Sequence, residues 1–320
     1  MRAVVLSLLL VFTRVVCVCG QPTEVAKADS IAELYPGHSL RDLGLLSYKL
    51  THSLTTELGK FRSIYKWVCL NIESDFDLME LAKRKRLKLD SSALKEWNKK
   101  FHLRMVKTLV AEHKTLCTGY AWLVRELSLR AGIECEVING YGRTARSNIG
   151  GNGFANHSWN AVRLGNKWYL CDPTWSSGAA TTSNTFIHDF REEYFLSDPE
   201  MFVKSHYPVD VKWVLLETPP SFEYFLNAPL IYVNSYKFDF RPAKCERFKS
   251  VIKKGQTVSF NYSKPDDIIT GRMQFLTESD PIPVHFTSNC VEYTFNNKGT
   301  FAVHIAVDLQ PVLTYEITVK

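Results

Sequence analysis

Leu116-Cys117-Thr118-Gly119-Tyr120-Ala121, Asn156-His157-Ser158-Trp159-Asn160 and Tyr169-Leu170-Cys171-Asp172-Pro173-Thr174-Trp175 are three pieces of one stretch that decides how this 320-residue chain is read. A thiol, an imidazole and a carboxylate follow one another in order. Cys117 opens a helical pattern in which Tyr120, Leu123, Val124, Leu127 and Ala131 trace one apolar stripe, with Gly132 as a stop. A helix N-terminus and a neighbouring imidazolium both favour the thiolate, which is the nucleophilic form. Gly119, lacking a side chain, leaves room for an approaching acyl group.

The carboxylate and imidazole are related by a hairpin. His157–Leu164 and Lys167–Asp172 read as two strands around the two-residue turn Gly165-Asn166. Leu164 then pairs with Lys167, and the same register sets Asp172 opposite Trp159. His157, two residues from Trp159, shares its face, so His157 and Asp172 are diagonal neighbours with backbones ~7–8 Å apart. A one-residue slip would move Asp172 to the other face. The register also turns Cys171 away, into packing. Taken singly, each residue has an ordinary explanation: an inert core thiol, a satisfied strand histidine, a cap before Pro173. Together they define a Cys-His-Asp nucleophilic site. The Cys117 N–H supplies one oxyanion donor. The second is open among Trp67, Trp97, Asn71 and Asn98.

Outward from this stretch, residues 1–20 read as a secretory signal. Arg2 precedes a short apolar run, and Cys17-Val18-Cys19-Gly20 closes it with small residues. The run is too short and, at Arg14, too interrupted to span a bilayer, and no later stretch is apolar enough for an integral membrane segment. Secretion follows, or residence in the lumen of the secretory or lysosomal pathway. The net charge of +6 is modest for the length and gives no ground for a nucleic-acid partner. Of eight cysteines, Cys17 and Cys19 leave with the signal. Cys117 must stay free, and Cys69, Cys135, Cys171, Cys245 and Cys290 remain, an odd set with Cys245–Cys290 as the candidate disulfide. No Cys-x-x-Cys pair exists, so no metal site and no cofactor is expected.

Residues 21–50 read as a turn-rich lead-in. Residues 51–221 form an α+β domain, beginning with an amphipathic helix through Leu54, Leu58, Phe61, Tyr65 and Val68. Lys83-Arg84-Lys85-Arg86 is read as a solvated helix face, with contact to an acidic partner as the competing reading. A further helix follows the cap candidates Ser91-Ser92, and Gly142–Asn156 reads as a flexible loop. Residues 222–320 alternate apolar and polar positions between Gly and Pro turns, without helical periodicity, and read as a small all-β sandwich offering a surface for protein contact. Two glycosylation sequons occur. Asn261 suits a glycan, while a glycan on Asn156 would block the site.

The T-L-C-T-G-Y-A, N-H-S-W-N-A-V and D-P-T-W segments resemble the transglutaminase-like superfamily. The Tyr194–Phe202 block, His206-Tyr207-Pro208 and the upstream Tyr65-Lys66-Trp67-Val68 resemble its kyphoscoliosis peptidase group, over about residues 50–230. The resemblance implies a papain-like α+β core with Cys117, His157 and Asp172 as triad, followed by a small all-β sandwich domain. It implies a thiol hydrolase or acyl-transferase acting on peptide or glutamine-type amides of a protein or peptide substrate. The alternative is a non-catalytic binding or scaffold module that keeps the fold. Thr115-Leu116 stands where the family often has Gly-Val, and members of the group are mostly intracellular. Nothing resembles the calcium-binding multi-domain enzymes, so no calcium requirement is expected.

Overall fold

Thr56 begins the first long element by accepting a hydrogen bond from Gly59 N–H at 3.0 Å, which caps the helix that follows. The computed structural model describes residues 22–151, 153–180, 185–244, 246–268, 270–277 and 280–320. The signal expected at residues 1–20 lies outside them. So does Cys245, and with it the expected Cys245–Cys290 bridge; Cys290 carries a free thiol.

The 21–50 segment, expected to be turn-rich, contains two helices, α1 (Pro22–Glu33) and α2 (Leu43–Thr51). Their Ala28, Ala32, Leu46 and Leu50 are fully buried in one core with Phe61, Ile64, Trp67 and Val68 of α3 (Glu57–Asn71). Arg62 of α3 is buried too, and its charge is matched by Asp29 at 2.6 Å and by Glu192. A two-residue strand, β1 (Glu73–Ser74), leads into a helical hairpin of α4 (Phe76–Lys88) and α5 (Ser91–Glu112). The cap of α5 is Asp90, which accepts from Ser92 and Ala93 N–H, and not Ser91 or Ser92. The hairpin returns at β2 (Lys114–Thr115), which pairs in parallel with β1 and closes the hairpin at its base. Helix α6 (Cys117–Arg130) follows and buries Tyr120, Leu123, Val124 and Leu127 against α3.

The central sheet is antiparallel. It holds β3 (Cys135–Gly142), β4 (His157–Leu164) and β5 (Lys167–Cys171), ordered β5-β4-β3 and completed beside β3 by β8 (His206–Pro208). Between them lie the short helix α7 (Pro173–Ser177), the pair β6 (Gly178–Ala180) and β7 (Phe186–His188), and α8 (Pro199–Phe202). The loop after β3, expected to be flexible, is pinned. Asn148 is buried, and its amide donates to Gly142 O and Phe154 O while accepting from Phe154 N–H.

The C-terminal region opens with two short helices that the sequence pattern hides, α9 (Phe222–Asn227) and α10 (Val233–Lys237), with β9 (Leu230–Ile231) between them. Five or six residues are too few to show a 3.6-residue period. Among the described residues eight strands follow: β10 (Arg241–Pro242), β11 (Lys249–Ile252), β12 (Thr257–Ser263), β13 (Met273–Thr277), β14 (Asp280–Ile282), β15 (Cys290–Thr294), β16 (Gly299–Val307) and β17 (Gln310–Val319). They make one sheet ordered β10-β12-β15 and a second ordered β11-β17-β16-β13-β14, with β9 added on β17. Phe260, Phe275, Val303, Ile305 and Tyr315 fill the core they share. Architecture and class are as expected: a mixed α+β core followed by an all-β sandwich. Among the described residues no helix is long and apolar enough to cross a membrane.

Gly119 has a different reason from the one first assigned to it. It faces β2: a Cβ there would lie 1.9 Å from Thr115 Oγ1 and 2.8 Å from Thr115 Cβ. The glycine serves packing of α6 on β2 and not substrate access. Gly119→Ala is expected to cost about 1–3 kcal/mol in urea denaturation through overpacking, with part recovered in Gly119→Ala/Thr115→Ala. An unchanged midpoint would return the residue to the substrate path.

Candidate active site

Cys117 sits at the first position of α6. The residue before it, Leu116, has no side chain able to cap the helix, so the amides of the first turn keep their partial positive charge beside the sulfur. Thr118 Oγ1 meets Ser158 Oγ at 3.1 Å, and Asn160 Nδ2 donates to Ala121 O at 2.9 Å, so β4 is tied to the start of α6.

The β4–β5 register is the one the turn implied. Leu164 pairs with Lys167 and Asn160 with Cys171 around Gly165 at φ +60°. Cys171 is fully buried with Val162 and Leu164 in the helix-facing core. One step beyond Cys171, Asp172 leaves the strand and caps α7. Its Oδ1 accepts from Thr174 N–H at 2.8 Å and Trp175 N–H at 3.1 Å. Its Oδ2 lies 2.6 Å from His157 Nε2. The residue is therefore both a helix cap and the partner of the imidazole, one oxygen for each. With Nε2 committed to Asp172, Nδ1 is the ring nitrogen that serves Cys117. The His157 ring is flanked by Trp175, with centroids 5.3 Å apart.

The carboxylate has a second imidazole that the sequence did not reveal. His206, the first residue of β8, is buried and places Nε2 3.0 Å from the same Asp172 Oδ2. Its Nδ1 meets Ser205 Oγ at 2.9 Å, and Ser205 Oγ meets the Tyr236 hydroxyl of α10 at 2.6 Å. Burial holds the His206 pKa down to about 4 against the pull of Asp172. A neutral ring that donates from Nε2 must accept at Nδ1. The protons therefore run from Tyr236 O–H to Ser205 Oγ, from Ser205 O–H to His206 Nδ1, and from His206 Nε2–H to Asp172. The ring stacks on Phe202 at 3.9 Å. Local pattern carries no signal for this residue, because β8 reaches the site only by crossing to β3.

Electrostatics separate the members. Burial alone would raise the Asp172 carboxyl, but His157 and then His206 hold it well below the usual carboxylate range. Burial alone would lower His157, but Asp172 and then Cys117 raise it to about 10. Burial also works against the Cys117 thiolate; His157, the Ser158 backbone N–H and the charge of Arg86 outweigh it, and the thiol ionises below its ordinary value. Burial pushes the thiols of Cys69, Cys135 and Cys171 the other way. Cys117 is thus the one thiol among the described cysteines whose surroundings favour the thiolate.

A cavity of about 410 Å³ opens between the α4–α5 hairpin and this pair, with Arg86, Trp97, Asn98 and Asn139 among its walls. Of the four open oxyanion donors, two are excluded. Trp67 is buried and donates to Tyr35 O at 2.7 Å, and the Asn71 amide donates to Trp67 O while accepting from Gly37 N–H. Trp97 and Asn98 face the cavity. Asn156 binds Gly142 through both amide atoms, accepting from its N–H and donating to its O. A glycan on Asn156 would take one of the two Nδ2 hydrogens that now serve Gly142 O and Ser147 Oγ. His157, Asp172 and His206 also have the spacing of a metal-ligand group, within 4.8 Å of one another. Their 2.6 and 3.0 Å contacts are hydrogen-bond lengths, and an ion held at ~2.0–2.1 Å from each Nε2 would replace the hydrogens that orient the rings.

Residues 46–173 match the Transglutaminase-like superfamily. The mouse kyphoscoliosis peptidase is 34% identical over 176 residues, which is 54% of this chain and 24% of that protein. The human kyphoscoliosis peptidase is 33% identical over 54% of this chain and 24% of that protein. Hillarin of Drosophila melanogaster is 24% identical over 66% of this chain and 25% of that protein. The matches thus span about a quarter of the length of these relatives.

His206→Phe removes a donor from a buried carboxylate and is expected to cost about 2 kcal/mol in urea denaturation. His206→Gln, which can still donate, should recover part. The pH dependence gives the sign. With a folded pKa lowered from 6.5 to about 4, His206 binds its proton more readily in the unfolded chain. Its contribution to stability therefore falls as pH drops from about 6.5 toward 4. His206→Phe should flatten that part of the stability–pH curve. An equal slope in both proteins would refute the neutral-donor assignment.

Proposed function

From residues 46–173 as a transglutaminase-like domain, we propose that the chain is a thiol-dependent hydrolase or acyl-transferase acting on peptide or glutamine-type amides. The observation that supports this best is the 2.6 Å bond between His157 Nε2 and Asp172, which leaves the opposite ring nitrogen to a cysteine at a helix N-terminus.

In the first half-reaction, Cys117 Sγ attacks the amide carbon. The C–N bond breaks, and His157 gives its proton to the leaving amine. A thioester and a neutral imidazole remain. In the second, His157 takes a proton from water or from an incoming amine, whose O or N attacks the thioester carbon. The C–S bond breaks, releasing an acid or a new amide, and the thiolate–imidazolium pair is restored. Asp172 stays ionised throughout, holding His157 in orientation, and His206 holds Asp172. The backbone N–H of Cys117 donates to the oxyanion, joined by Trp97 or Asn98 from the cavity wall.

We also propose that residues 1–20 direct the chain into the secretory pathway. The buried Cys69, Cys135 and Cys171 are shielded from an oxidising compartment. Protein recovered from culture medium should begin at Gln21; recovery only from cytosol, with residues 1–20 intact, would refute secretion.

Alkylation of Cys117 followed across pH tests the site. The wild type is expected to show a midpoint clearly below the ordinary thiol value of ~8.5, and His157→Ala a midpoint moved upward. A midpoint near 8.5 in both would leave a binding module that keeps the fold. Wild type, but not Cys117→Ser, should release ammonia from a glutamine peptide or incorporate an amine into it, or cleave a peptide bond.

A further inference from the structure

Helix α4 places the four residues Lys83-Arg84-Lys85-Arg86 on different faces. Lys83 and Arg84 are exposed, and Lys83 approaches Glu80 at 3.9 Å. Arg86 follows Leu78 and Ala82 at four-residue steps along the stripe that faces inward, and both of those are buried. The reading of this cluster as a solvated face therefore holds for its first members and fails for its last.

Among the described residues the inward guanidinium has no carboxylate partner, and the one charge that it meets is that of the Cys117 thiolate. Among the described residues Arg86 has no hydrogen-bond acceptor and no carboxylate, and its Nε is shielded from solvent and unpartnered. The other buried arginines are satisfied. Arg62 holds Asp29 and Glu192, and Arg143 donates to Asn148 O, Pro229 O and Ala228 O. A partly desolvated guanidinium whose donors find no acceptor in the chain is left with hydrogen-bonding capacity for a group supplied from outside.

The place of that partner is fixed by the cavity. Arg86 lines the same 410 Å³ space as Cys117 and His157, together with His102, Asn98 and Asn139, and no Asp or Glu lines it. The surrounding hairpin, residues 76–112, carries ten Lys and Arg against five Asp and Glu, a field that draws anions to the opening. We propose that Arg86 is a specificity-determining residue that binds a carboxylate of the substrate, so that the site takes acidic peptides with Asp or Glu beside the amide that Cys117 attacks. This rests on the thiol chemistry proposed above. A guanidinium fork suits a carboxylate in two-point contact.

The test separates the two claims by using small reagents that need no turnover. Cys117 is alkylated with iodoacetate, an anion, and with iodoacetamide, its neutral counterpart, and modification is read at Cys117 by peptide mass mapping. Both rates are measured on the pH plateau, where the thiol is fully ionised. In Arg86→Gln the iodoacetate-to-iodoacetamide rate ratio is expected to fall by roughly tenfold, the effect of removing one charge several ångströms from the reacting atom. Arg86→Lys should keep most of it. A variant that slows both reagents equally, leaving the ratio unchanged, would mean that Arg86 acts only on the thiolate, and the specificity role is overturned. A wild-type thiol of ordinary reactivity would instead overturn the active-site reading itself.

Matched peptides then read the substrate preference. Wild type should prefer Glu over Gln beside the reacting amide in kcat/KM, Arg86→Gln should lose the preference, and Arg86→Glu should favour Lys. Equal use of the Glu and Gln peptides by wild type would refute the proposal. Thermal melts of each variant confirm that it is folded.

Discussion

One carboxylate, that of Asp172, has every lone pair spoken for. It is fully buried, a state that a lone anion tolerates only with several strong donors. Two come from the backbone of α7, because the residue before Pro173 occupies a helix cap. Two come from imidazoles on different strands. The order β5-β4-β3-β8 is what allows this: Asp172 leaves the end of β5, His157 begins the neighbouring β4, and His206 begins β8 on the far side of β3. Shift any strand by one residue and a buried anion loses a donor. The site's geometry and the sheet's register are thus one constraint.

That constraint extends into the C-terminal region. Tyr236 belongs to α10, which packs on β17, and its hydroxyl ends the chain of hydrogen bonds that begins at Asp172. Arg143, at the end of β3, reaches the backbone of Ala228 and Pro229 just before β9. The sandwich is therefore joined to the candidate-site end of the sheet by a tyrosine hydroxyl and a buried guanidinium. Removing it would take the Tyr236 hydroxyl from Ser205, while Asp172 would still fix the His206 tautomer.

What was legible in the sequence was local. The Gly165-Asn166 turn sets the β4–β5 register, and a two-residue turn leaves little freedom, so the meeting of His157 and Asp172 and the burial of Cys171 could be worked out from spacing. Helix α6 was legible from its stripe and its glycine stop. His206 was not, since its approach depends on a strand that returns from a distant part of the chain. Helices α1 and α2 were missed because turn signals such as Tyr35-Pro36-Gly37 lie between them and dominate the local pattern. Gly119 was misassigned because a missing side chain looks the same whether it makes room for substrate or for Thr115. Trp67 and Asn71 dropped out as oxyanion donors once their hydrogen bonds to Tyr35, Gly37 and the α3 backbone were in view.

The α4–α5 hairpin stands apart from all of this. Its own buried core is small, built on Leu78, Ala82 and Met105 with Leu116 beneath, and it is anchored at its base by a two-residue parallel pairing. Elements with so few buried contacts open at lower free energy than the rest of a fold. Yet this hairpin forms the outer wall over Cys117 and holds Arg86 against it. A wall that is weakly packed and carries a guanidinium without a hydrogen-bond acceptor gains stability from an anion bound in the cavity. A carboxylate entering beside Cys117 would give Arg86 the hydrogen-bond acceptor that the chain itself does not supply, and would tighten the wall over the cavity.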